Sequence, residues 1–112
     1  MSENQKLAIL SKLYNRTFEA FGKDLIEVIL YGSYARGDFD SESDMDIALI
    51  FDSDRSDFEK YDSALNSIMT DFSLNDDILL SLTCIPISDF EKYKKALPYY
   101  RNIDLEGVRL HA

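Results

Sequence analysis

Residues 25–51 constrain the fold of this chain more than any other stretch. Two apolar runs, 25–31 and 46–51, bracket the polar segment 32–43. Each run has the length of a strand. The first is mostly apolar throughout and reads as a central strand covered on both faces. The polar segment opens on Gly32-Ser33, and Asp44-Met45-Asp46 leads into Ile47-Ala48-Leu49-Ile50-Phe51. Any fold that accepts this stretch must set a Gly-Ser turn after one strand and two aspartates at the mouth of the next.

The flanking segments supply helices. Leu7, Leu10, Tyr14, Phe18 and Phe21 recur at three- and four-residue steps, which predicts a helix over roughly 5–21, stopped by Gly22. Ser56-Asp57-Phe58-Glu59 has the form of a capping box, and Phe58, Tyr61, Leu65, Ile68 and Phe72 continue as a helical stripe. Asn75-Asp76 reads as a turn, and 78–85 as a third strand with Asp77 at its start. Ser88-Asp89-Phe90-Glu91 is a second capping box, opening a short helix that Pro98 ends, and 108–111 reads as a small final strand. The third strand is reached through a helix. The expected fold is therefore α+β, a two-layer mixed β-sheet with helices packed on it and acidic loop ends gathered at one edge.

A chain of 112 residues has room for one domain, 1–112, with one core. No apolar run approaches the ~20 residues of a transmembrane helix, and the first residues are polar, so a cytoplasmic location is expected. One cysteine, Cys84, excludes an intrachain disulfide and a cysteine zinc cluster, and its apolar surroundings predict a buried structural thiol. The formal charge of −9 disfavours general nucleic-acid binding, which rests on Lys and Arg neutralising phosphates. Solvation accounts for most of the acidic run from Asp38 to Asp57. It does not account for Asp46, which directly precedes five apolar residues.

Residues two apart on a strand share a face, so Asp44 and Asp46 point the same way, about 7 Å apart. Carboxylates so placed can share one cation or hold two. Paired divalent ions stabilise both oxygens of a phosphoryl-type displacement. Magnesium suits the site because it takes few carboxylates and fills its other positions with water and phosphate oxygens. Gly32 permits a tight turn and close backbone approach, Ser33 adds a hydroxyl donor, and Arg36 can reach the same phosphates. Either half alone is common in acidic loops and turns; both halves in order, on two predicted strands, point to phosphate chemistry. The Tyr and Phe residues at helical spacing read as core. Tyr99, Tyr100 and Arg101 read as packing or as a nucleotide or partner surface, and His111 has no assigned role.

Gly32-Ser33, ten intervening residues, then Asp44-x-Asp46 resembles the signature of the DNA polymerase β superfamily of nucleotidyltransferases. The string Leu30-Tyr31-Gly32-Ser33-Tyr34-Ala35-Arg36-Gly37 resembles its minimal, stand-alone members. Pro98-Tyr99-Tyr100-Arg101-Asn102-Ile103 and Glu106-Gly107-Val108 are similar to the closing segment of members that act as antitoxins beside HEPN-domain toxins. The resemblance implies ATP and magnesium, two ions. Asp44 and Asp46 would be metal ligands, and Gly32 and Ser33 would hold the β- and γ-phosphates. It also implies a third carboxylate on a neighbouring strand, for which Asp77 is the candidate, although many relatives carry the acid deeper, where this chain has Leu79 or Ser81. The expected reaction is transfer of AMP to a hydroxyl, a Tyr of a partner HEPN toxin, with a hetero- or homo-oligomer as the setting. Two alternatives stay open: a module that neutralises its partner by binding alone, and transfer to a small molecule such as an aminoglycoside.

Overall fold

A computed structural model describes residues 1–40 and 42–111. Helix α1 (Glu3–Phe21) starts one turn before the apolar stripe, because Ser2 and Gln5 form a reciprocal capping box. Its buried residues are Ile9, Leu10, Leu13, Thr17 and Phe21, and Leu7 is exposed. The inward face is thus rotated from the one the sequence predicts. Thr17 enters the core at no unpaired cost, since its hydroxyl donates to the Leu13 carbonyl. Gly22, at φ +58°, ends the helix as expected.

Strands β1 (Leu25–Tyr31), β2 (Met45–Phe51) and β3 (Leu80–Pro86) and the short β4 (Val108–Arg109) form one sheet in the order β3-β2-β1-β4. β1 runs antiparallel to β2 and β4, and β2 runs parallel to β3. The parallel pair needs a crossover, supplied by α3 (Asp62–Asp76). The mixed α+β sheet expected from the sequence is present. Every residue of β2 is buried except Asp46.

Side chains alternate between two cores. The larger contains Val28, Leu30, Met45, Ile47, Leu49 and Phe51 against α1 and α3. The smaller contains Ile29, Ala48, Ile50 and Ile85 against Phe90 of α4 (Ile87–Tyr93) and Ile103 of α5 (Pro98–Glu106). A fully buried apolar side chain contributes ~1.5–3 kcal/mol, so the α4–α5 layer is the more weakly held.

Several local expectations change. The Ser56 capping box does not form; Arg55–Tyr61 is a 3-10 stretch and α3 begins only at Asp62. Three residues per turn align Phe58 and Tyr61, and both rings pack on Phe51 at 5.6 and 4.4 Å. The Ser88 box is also absent, because α4 starts earlier, from Pro86, and Asp89 instead pairs with Arg55 at 3.0 Å. Pro98 does not end a helix. It opens α5, where its missing N–H has no partner to lose. Cys84 is half-buried rather than buried, since β3 is an edge strand, and burial pushes its thiol up to about 11. The acidic residues also divide: Asp44 and Asp46 lie at the start of β2, whereas Asp52, Asp54 and Asp57 follow its end, a strand length or about 20 Å away. Among the described residues no helix is long and apolar enough to cross a membrane.

Candidate active site

The chain leaves β1 at Tyr31 and turns at Gly32, where φ is +75° and ψ −154°. Only glycine adopts that conformation without strain. Gly32 caps a single helical turn, α2 (Ser33–Arg36), its carbonyl accepting from the Ala35 and Arg36 amides, both at 3.1 Å. The segment predicted as loop therefore begins as helix, and the first amides of a helix have no partner within it. Gly37, left-handed at φ +85°, closes the turn.

The second reason for glycine at position 32 is space. A Cβ there would run into the Asp46 carboxylate. The Gly-Ser turn and the second aspartate are thus in van der Waals contact. Cross-strand register completes the arrangement. Asp46 pairs with Tyr31 on one side and with Ser81 on the other, so the three share a face. That face is the one covered by α4 and α5, as Tyr31 packs against the smaller core.

Burial pushes the Asp46 carboxyl above its ordinary value, the charge of Asp44 pushes it further, and the Arg36 guanidinium opposes both. Asp44 itself is exposed, one residue before β2. Arg36 is held by Asp38 at 3.2 Å and by Glu106, at the end of α5, at 3.7 Å. Tyr31 is also pushed well above the usual phenol range, first by burial and then by its hydrogen bond to Tyr99, whose hydroxyl lies 2.9 Å away.

Asp77 is not on a strand. It is the C-cap of α3, left-handed at φ 52° and ψ 41°, and β3 starts three residues later. Its turn geometry follows from the short polar side chain, which tolerates this region better than most. It lines a cleft of about 560 Å³ with Tyr34, Phe39, Asp40 and Ser43; the residues lining this cleft do not include Asp44 or Asp46. Among the described residues no three Asp, Glu, His or Cys side chains gather to hold one ion. The register position opposite Asp46, where a carboxylate on the neighbouring strand would stand, is occupied by Ser81.

The donor set nevertheless suits a hard cation. Two carboxylates repel one another at the mouth of β2, one of them partly buried, and the nearby Arg36 is engaged by two other acids. Magnesium takes one or two carboxylates and completes its shell with water and phosphate oxygens. Tyr31 and Glu106 enter this neighbourhood without having been singled out for it, and Tyr99, read from the sequence as packing or as a nucleotide or partner surface, joins them through its hydroxyl contact with Tyr31. Tyr31 stood inside the motif string, but only strand register reveals which way it faces.

A Gly-Ser turn packed onto the second of two aspartates at the start of a central strand is an arrangement suited to phosphate and cation chemistry. A family model for the nucleotidyltransferase domain matches residues 10–111, and the chain belongs to that family. It is 38% identical over 71 residues to a candidate protein adenylyltransferase of Methanocaldococcus jannaschii, covering 62% of this chain and 70% of the relative. A second candidate protein adenylyltransferase of that organism is 42% identical over 50 residues, covering 45% of this chain and 34% of its own length. The fold is similar to a chain in a crystal structure of a mutant MntA-HpeT toxin–antitoxin complex, with a TM-score of 0.59 at 15% identity, over 92% of this chain and 73% of that one.

Proposed function

We propose that this domain transfers AMP from ATP to a hydroxyl of a partner protein, a Tyr of a HEPN-type toxin, and thereby acts as an antitoxin. The observation that carries the reading is the contact between Gly32 and the Asp46 carboxylate. It supports the reading because a glycine turn able to hold phosphate lies directly against a carboxylate able to hold a cation. The protein acceptor is supported by the names of the relatives, and the toxin by the toxin–antitoxin assembly of the structural neighbour.

In this reading Gly32 and Ser33 hold the β- and γ-phosphates through the turn's amides and the Ser33 hydroxyl. Arg36 exchanges Asp38 and Glu106 for phosphate oxygens, a favourable trade because Arg binds phosphate through two parallel bonds. Asp44 and Asp46 would hold magnesium, which would supply charge neutralisation at the phosphates. The acceptor oxygen attacks the α-phosphorus, and pyrophosphate leaves. Asp77 joins the ligands only if the turn at the end of α3 brings it to the other two. Labelled ATP, magnesium and the cognate partner test the reading: label moves to the partner with wild type and not with Asp44→Ala/Asp46→Ala. Equal transfer by that variant, or none by wild type, overturns it.

One observation favours a second reading. Ser81 stands where a third carboxylate would face Asp46, which fits a module that neutralises its partner by occlusion. That reading requires the double Asp variant to protect cells as well as wild type.

A further inference from the structure

Both ends of α5 touch the candidate site. Glu106 reaches Arg36, and Tyr99, in the first turn of α5, meets the Tyr31 hydroxyl. Tyr31 directly precedes Gly32 and is register partner to Asp46. A single tyrosine side chain therefore separates the Tyr99 hydroxyl from the phosphate turn and the carboxylate row. Tyr99 is also 47% exposed and sits in the more weakly held layer of the fold.

Tyr34, Tyr61, Tyr100 and Tyr31 are held in other settings. Tyr34 is buried and stacked on Phe39 at 4.1 Å. The Tyr61 hydroxyl is held by Asp24 and Ser53, beyond the opposite end of β2. The Tyr100 hydroxyl accepts from Arg55 at 3.0 Å, again toward that far end. Tyr31 is fixed on a central strand.

We propose that Tyr99 is an intramolecular acceptor: the domain adenylylates its own Tyr99 when no partner occupies the site. The inference rests on the nucleotidyl-transfer reading above. The Tyr99 oxygen bonds to the α-phosphorus of a magnesium-bound nucleoside triphosphate. The bond from that phosphorus to the bridging oxygen breaks, pyrophosphate departs, and the phenolic proton leaves to solvent along the exposed side of the ring. An acceptor already tethered beside the site gains the large effective concentration of an intramolecular reaction. The product carries a bulky nucleotide between α5 and the site, which closes the site to a second acceptor.

The test uses the whole chain, without partner, incubated with α-labelled ATP and magnesium, followed by peptide mapping by mass spectrometry. ATP binding is measured in parallel by thermal shift, and transfer to the partner in a separate tube. The expected result is one adenylyl group on Tyr99, formed at a rate per molecule that does not change on dilution. Tyr99→Phe loses the label and still shows the ATP shift, and Tyr100→Phe keeps the label. Label on another residue overturns the inference, as does a rate proportional to protein concentration. An unlabelled chain that binds ATP and labels its partner refutes Tyr99 as acceptor and leaves the nucleotidyl-transfer reading standing. A chain that neither binds ATP nor labels any protein removes both.

Discussion

Replacing Gly32 with Ala probes two separable costs at one position. The backbone at φ +75° and ψ −154° lies in a region that L-residues enter at about 1–3 kcal/mol. The added Cβ also meets the Asp46 carboxylate on a strand whose other residues are all buried, and forcing an extra carbon into a tight contact costs about 1–3 kcal/mol. The sum, about 2–6 kcal/mol, is a large part of a typical domain's stability of ~5–15 kcal/mol. At roughly 4 °C per kcal/mol for a domain near this size, the melting temperature drops by about 8 °C or more. Thermal denaturation followed by circular dichroism measures it. The same substitution made on an Asp46→Ala background isolates the steric part: without the carboxylate the penalty shrinks by about 1–3 kcal/mol, and the backbone part stays. A Gly32→Ala protein melting within about 2 °C of wild type would falsify the account of why glycine stands here. A cycle with no coupling would show that the Asp46 contact carries no strain.

Asp46→Asn should stabilise the metal-free protein at neutral pH, because burial and Asp44 both disfavour the Asp46 charge. Solvent screening keeps the gain small, about 0.5 kcal/mol or ~2 °C. The sign follows from linkage: with its folded value raised, wild-type Asp46 costs stability as pH rises from the unfolded value through the folded one, so the advantage of Asn is full above that window and fades below it. Melts across acidic and neutral pH test this, and magnesium should raise the wild-type melting temperature but not the variant's; a destabilised Asn variant at neutral pH contradicts it. Asp77→Gly should raise stability by about 0.5–1 kcal/mol, since Asp77 is left-handed at a helix C-cap. If the residue serves only the turn, transfer to the partner is unchanged. A tenfold or greater loss of transfer in this better-folded variant would assign it to the metal site instead.

Periodicity in the sequence located α1, β1, β2 and most of α3 and β3, because amphipathic patterning is written locally. The two capping boxes misled for tertiary reasons. Phe58 and Tyr61 follow the Phe51 ring into a 3-10 stretch, and Asp89 pairs with Arg55. Helix α5 carried a legible mark, Pro98 at a helix start, which also reads as a helix stop when the preceding helix is assumed to run that far. Asp77 looked like a strand residue because its alternation with Leu79 and Ser81 matches a period of two. Its left-handed backbone breaks that period before β3 begins.

Glycine then serine, and two aspartates one residue apart, are relations between near neighbours. Sequence alone therefore determined the Gly-Ser turn, the aspartate pair, and the strands that carry them. What stands beside the pair is a matter of register between strands distant along the chain, set by hydrogen-bond pairing and by which face each core buries. Only the tertiary structure placed Tyr31 and Ser81 on either side of Asp46, turned Asp77 into a helix cap, and laid α5 so that Tyr99 and Glu106 reach the site. A shift of one residue in any of those pairings would turn the same side chains to the opposite face.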